Sequence, residues 1–281
     1  GLVFVPNATS GVNAVLRSGE FDPGDELLVT NQGYEACRHA LEFVAERSGA
    51  QIVVADIPFP TTRPDEVIER LMDAVTPKTE LALIDHVTSP TGLVLPIEEI
   101  VERLDERNVE TLVDGAHAPG MLDLSVDEIG ANYYTGNCHK WLCAPKGAAF
   151  LWVGEHERED VHPLAISNYY QQQVPGRTTF QMEFDWTGTC DPTAWLSVPA
   201  AIDFLGSLLP GGWQQLRERN RKLAIEARDL LCGALDLEPP APDSMLGSLA
   251  GTDLAQPVAL LVGSRLAPFG LVVWRIRREA P

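Results

Sequence analysis

The chain has 281 residues, 45% hydrophobic and 22% charged, which is ordinary for a soluble globular protein and enough for one large domain or two. Forty acids face 21 bases, and the net charge of −19 argues against non-specific binding to nucleic acid and to anionic membrane surfaces. The five cysteines (Cys37, Cys138, Cys143, Cys190, Cys232) are scattered without a CxxC, so neither a disulfide framework nor a zinc site is expected, and a reducing cytoplasm is.

In chain order, Gly1–Val5 reads as a short buried strand, followed by the small polar turn NATSG and a helix from Val12. A helix start after such a turn is a ready anion site, because free N–H groups and the helix dipole favour phosphate. An ordinary cap by Thr9 or Ser10 has the same pattern. Glu26–Thr30 is a strand, and Tyr34–Arg47 a helix with Cys37, Leu41 and Val44 on one face. Gln51–Ile57 is a strand, Pro64–Val75 a helix, and Glu80–Asp85 a strand leading into the loop HVTSPTGLVLP. Ile97–Arg107 is a helix and Glu110–Asp114 a strand. This alternation predicts an α/β fold with a mostly parallel sheet wrapped by helices. Ligands in such sheets bind beyond the strands' C-terminal ends, where Thr88, Ser89, Asp114 and His117 fall.

The stretch Tyr133–Gly147, YYTGNCHKWLCAPKG, reads as a loop presenting Lys140 among small and hydroxyl residues. Asp114 lies 26 residues upstream, at a strand end in LVDGAHAPG. A loop amine and a strand-end acid can hold pyridoxal phosphate (PLP), the amine as a Schiff base and the acid against the pyridinium nitrogen. Taken singly, Lys140 is a solvated surface charge and Asp114-Gly115 a turn. Gly147–Val153 is a strand, Tyr169–Phe184 polar and turn-rich, and Trp186–Thr189 a second hydroxyl loop. Pro192–Leu209 and Trp213–Leu235 are helices. The expected division is a large domain, 1–209, and a small α+β domain, 210–281. The apolar tract Leu254–Trp274 is broken by Gln256, Pro257, Arg265 and Pro268 and does not read as a membrane span. The chain opens without Met or a signal peptide, and residues are expected to be missing at both ends.

NATSGVNAV, HVTSPTG, DGAHAPG, TGNCHKWLCAPKG and FDWTGTCDPTAW, in that order, resemble the class V aminotransferase group of fold-type I PLP enzymes. Within that group they resemble isopenicillin N epimerase-like proteins, from about Asn7 to Phe204. The resemblance implies a seven-stranded, mostly parallel sheet in the large domain. It implies that Lys140 carries the Schiff base, Asp114 pairs with the ring nitrogen, and His117 and Ser89 reach the ring hydroxyl. Ala8 and Thr9 would bind the phosphate at a helix start, joined by His139 with Thr135 or Asn137. Tyr34 would stack on the ring. Thr189 would reach the neighbouring subunit's cofactor, which implies a homodimer. Arg275, in WRIRRE, would grip the substrate carboxylate, although Arg277 replaces the serine common two positions later. The upstream helical segment with which the family usually helps wall the site is expected to be missing from this chain. No metal is expected.

The implied chemistry acts at Cα of an amino acid or aminoacyl substrate through a carbanion, with epimerisation as first choice. Tyr34 and His117 are candidates for the second acid. C–S lysis by β-elimination, transamination and decarboxylation diverge from the same point. Desulfuration would need a mobile nucleophilic cysteine; Cys190 is near, but not at the usual position. A non-catalytic PLP- or phosphate-binding module is the reading of another class. Trp141 and Trp195 read as packing residues.

Overall fold

The computed structural model describes residues 1–61 and 63–252. The elements are β1 (Leu2–Val5), α1 (Ala8–Ser18), β2 (Glu26–Thr30), α2 (Glu35–Ser48), β3 (Gln51–Ala55), α3 (Pro64–Ala74), β4 (Thr79–Asp85) and α4 (Ile97–Asp105). They continue with β5 (Glu110–Asp114), α5 (Val126–Ile129), β6 (Tyr133–Asn137), β7 (Ala149–Val153), α6 (Thr179–Asp185), α7 (Thr193–Leu196), α8 (Val198–Ser207) and α9 (Gly212–Leu235). The seven strands form one sheet in the order β1-β7-β6-β5-β4-β2-β3. The run from β3 to β6 is parallel, and β7 pairs antiparallel with both β6 and β1.

Local chemistry explains most boundaries. Helix α1 begins one turn earlier than expected, because the side chain of Asn7, not Thr9 or Ser10, accepts the Ser10 amide at 2.8 Å. The polar turn is therefore the first helical turn. Helix α2 stops at Gly49, whose φ of 84° suits glycine. Pro64 starts α3 at a position where its missing N–H costs nothing. The single helix expected over 192–209 divides at Ser197 into α7 and α8, with Pro199 in the first turn of the second. The turn-rich segment expected before Phe184 ends in α6, whose Phe180 and Phe184 rings sit 5.0 Å apart at i, i+4. Strand β6 takes the place of the first part of the expected lysine loop.

The two-residue side-chain period of the strands sorts the core into two layers. Leu81 and Leu83 of β4, Leu112 of β5 and Tyr133 of β6 pack with α1, α2 and α6. Ala82, Ile84, Val113 and Tyr134 point the other way, packing with α3 and α4. Continuing the first series by one step, and by a second in β6, puts Asp85, Asp114, Thr135 and Asn137 on the α1/α2 face at the strands' C-terminal ends. The register pairs Asp85 with Asp114 and Asp114 with Thr135.

Of the expected small domain, the described part is α9 and a 3₁₀ turn, Asp243–Met245. No single helix among the described residues is long and apolar enough to cross a membrane; the pair Thr193–Ser207 and Gly212–Leu235 meets that test only across a 75° bend. Ile84, which precedes Asp85 and points to the opposite face, is fully buried. Ile84→Ala should lower the unfolding free energy by about 2–5 kcal/mol, read as a shift of the urea midpoint at constant slope.

Candidate active site

Asp114 ends β5 at 3% exposure, its carboxylate held from two sides. The Ala116 amide donates to Oδ1 at 3.0 Å, and the Cys37 thiol, from α2, donates to Oδ2 at 3.1 Å. Asp85 lies beside it on β4, equally buried, with the Tyr34 and Ser89 amides as donors. Burial first, then the neighbouring Asp114, raises the proton affinity of Asp85 well above normal. Burial likewise raises that of Asp114, against the pull of its Cys37 and Ala116 donors and the Lys140 charge. Neither carboxylate forms an ion pair among the described residues.

Two glycines let the next segments close over these strand ends. A Cβ on Gly115 would overlap the Tyr134 hydroxyl. Gly120, at φ +84°, brings the DGAHAPG loop so near the lysine loop that a Cβ would sit 2.7 Å from the Trp141 and Leu142 backbone. The approach sets His117 against Lys140, with Nζ and Nε2 3.0 Å apart. The Trp141 indole donates to His117 Nδ1 at 3.2 Å. Burial lowers the Lys140 amine below the usual lysine range, opposed by Asp114 and Asp85. Burial and then the Lys140 charge lower His117 to about 4.

The helix start adds a third side. Asn137, at the end of β6, accepts the Ala8 amide at 2.8 Å and so fixes the N-terminus of α1 beside the lysine loop. The Thr9 amide has no protein acceptor among the described hydrogen bonds, and the Thr9 hydroxyl donates to Cys37. Thr9, Cys37, Asp114, Asp85, Lys140 and His117 are thus linked through bonds and charges into one constellation.

The remaining expected residues take varied positions. His139 follows β6 and uses Nδ1 to donate to the Ala148 carbonyl at 2.8 Å, which leaves Nε2 for another partner. Thr135 differs from its expected role: its hydroxyl is fully buried and donates to the Phe150 carbonyl at 2.8 Å, packed under Gly11 of α1. Asn137 spends its carbonyl oxygen on α1 rather than presenting it outward. Thr88 turns its hydroxyl into its own loop, against Thr91 and the Leu93 amide. Ser89 is half-buried beside Asp85, and Tyr34, 43% exposed, precedes α2. Thr189 and Cys190 are exposed in the loop before α7. Arg275 lies outside the described residues. A cavity of about 890 Å³ lined by Arg158, His162 and Glu183 shares no residue with this constellation.

Sequence reasoning missed Asp85, Cys37 and the polar role of Trp141. The signal for Asp85 was present, since ELALID and ETLVD both end an apolar strand on an aspartate. Cys37 sits three residues after Tyr34, on the inward helix face.

The donor set fits pyridoxal phosphate. A buried carboxylate with no ion-pair partner among the described residues matches a protonated ring nitrogen, an amine with lowered proton affinity matches an aldehyde carbon, and a first-turn amide with no acceptor among the described residues matches phosphate.

Comparison with known proteins agrees. A family model described as aminotransferase class-V matches residues 1–238. The chain is 34% identical to isopenicillin N epimerase of Streptomyces clavuligerus over 91% of this chain and 68% of that one. It is 37% identical to the isopenicillin N epimerase of Amycolatopsis lactamdurans, over 90% and 68%. A probable chloroplastic L-cysteine desulfhydrase of Arabidopsis thaliana is 32% identical over 92% of this chain and 56% of its own length. Among solved structures, the cysteine desulfurase CsdA of Escherichia coli superposes with a TM-score of 0.77 at 20% identity, covering 96% of this chain and 67% of that one.

Beneath the site, His86 is buried with Nδ1 2.9 Å from the Tyr134 hydroxyl, and burial lowers its pKa to about 4. Its neutral form therefore supports the fold fully above about pH 6.5, and that support is lost as pH falls from 6.5 through 4. The stability advantage of the wild type over His86→Gln should shrink by roughly 1.4 kcal/mol per pH unit below 6.5, in denaturant titrations at stepped pH.

Proposed function

Because the chain belongs to the class-V aminotransferase family and is a PLP-dependent enzyme, we propose that it epimerises an amino acid or aminoacyl substrate at Cα, using Lys140 as the base on one face. The observation that carries this reading is the Lys140 amine, held 3.0 Å from His117 and lowered in proton affinity while facing two buried carboxylates. When bound, PLP supplies an electron sink conjugated with Cα, which acidifies the Cα proton.

In this proposal Asp114 keeps a proton on the ring nitrogen, and its buried, hydrogen-bonded position makes it a strong acceptor there. His117 binds the ring hydroxyl, with Ser89 beside it. Thr9 and His139 form the phosphate end, with Ala8 and Asn137 fixing the helix start by their mutual hydrogen bond rather than by direct contact. Lys140 takes the Cα proton at Nζ. His117, committed to the ring hydroxyl, is not free to serve the opposite face. Tyr34 stacks on the ring and returns a proton from that opposite face. Thr189, exposed, reaches the cofactor of a second copy in a homodimer, and Arg275 binds the substrate carboxylate.

C–S lysis by β-elimination is the second reading. It is favoured by the L-cysteine desulfhydrase relatives and by the structural likeness to a cystine C-S lyase, TM-score 0.68 at 22% identity. The two readings share proton removal at Cα and differ in the next step, return of a proton or loss of the β-substituent. Incubating the holoenzyme with a panel of L-amino acids, cysteine included, in deuterated water separates them. Deuterium at Cα of an inverted product is expected; release of pyruvate or thiol without inversion overturns epimerisation in favour of elimination.

The purified holoenzyme should be yellow, with a visible band bleached by borohydride. Lys140→Ala should abolish the band and lower turnover by at least about 10³-fold. A retained band would contradict the role given to this amine.

A further inference from the structure

We propose that Trp141 is a positioning residue that fixes the proton on His117: the indole N–H occupies Nδ1, which leaves Nε2–H pointing along the line to Lys140 Nζ. The inference deepens the reading above by naming how the ring-facing imidazole is set as a donor.

An indole Nε1–H can only donate. At 3.2 Å from His117 Nδ1 it requires a lone pair on that nitrogen. A doubly protonated imidazolium has no lone pair on either nitrogen, so the ring is neutral. A neutral imidazole carries one hydrogen, and with Nδ1 accepting, that hydrogen is on Nε2. Nε2 lies 3.0 Å from Lys140 Nζ. The chain therefore runs one way, from indole to imidazole to amine. At its end the amine must accept, which only its uncharged form can do.

The burial that lowers the proton affinity of both Lys140 and His117 acts in the same direction. The arrangement rests on local geometry. Trp141 directly follows Lys140, and the close backbone approach at Gly120 presses the His117 loop onto both. Without the indole hydrogen, nothing described holds Nδ1 as an acceptor. The ring is then free to carry its hydrogen on Nδ1 and to accept from a charged Lys140 ammonium. When a ring oxygen replaces the amine opposite Nε2, the same tautomer makes His117 a donor to that oxygen.

Nitrogen-15 NMR on the histidine- and tryptophan-labelled full chain tests this, with the cofactor removed and then restored. His117→Asn serves to assign the signal. In both forms of the wild type, His117 should show the Nε2–H pattern, and its Nδ1 should share a scalar coupling with the Trp141 indole nitrogen. His139, whose Nδ1 donates to the Ala148 carbonyl, should show the opposite tautomer and serve as the internal reference. In Trp141→Phe without cofactor, the Nε2–H share at His117 should fall at least about twofold, with His139 unchanged. An Nδ1–H or charged His117 in the wild type overturns the proposal, as does an unchanged His117 pattern in the variant. The wild-type spectra decide even if the variant does not fold. The cofactor-free spectrum is read without PLP, so its outcome is separate from that of the Lys140→Ala test.

Discussion

Two carboxylates buried side by side, with no cation paired to them among the described residues, are the constraint on which the rest of this site depends. Strand pleat and register leave no freedom in the matter: Asp85 and Asp114 are partners across β4 and β5, and both point to the α1/α2 face. Two adjacent charges in a low-dielectric interior are costly, so the pair holds protons more strongly than exposed acids do. What relieves that cost is a positive charge presented at the strand ends. A protonated heterocycle fits there, beside the Lys140 amine.

The surrounding fold serves this junction. Helix α2 contributes the Cys37 thiol to one acid, and the Tyr34 amide just ahead of it serves the other. Helix α1 is clamped by Asn137 so that its open first turn faces the same crevice. The loops after β5 and β6 press together at Gly115 and Gly120, where side chains cannot fit, and this closeness puts imidazole and amine within bonding distance. Each contribution comes from a different element, so the site exists only in the assembled sheet.

Much of this was legible in the sequence, for identifiable reasons. The strands β2 and β5 were readable to the residue because short apolar runs were bounded by turns and acids. Strand β6 was not, because YYTGN carries small and polar residues that normally mark loops. They suit a strand here because Gly136 lies against Phe150 and Pro119, while the Thr135 hydroxyl finds a backbone carbonyl. Lys140, Asp114 and His117 were recognisable from their motifs, and the structure brings them together. Thr135 shows the limit of motif reading, since a hydroxyl beside a phosphate site can equally be a buried packing group. Asp85 was overlooked because a strand-end acid gains meaning only when its neighbour across the sheet is known. Trp141 was overlooked because an aromatic residue next to a lysine says nothing about where its N–H points.

The most direct measurement of the central claim is a crystal structure of the protein grown with pyridoxal phosphate. The account predicts continuous density from Lys140 Nζ to a pyridine ring whose nitrogen lies within hydrogen-bonding distance of the Asp114 carboxylate. A ring bound elsewhere, or bound here with its nitrogen facing away from Asp114, would contradict it.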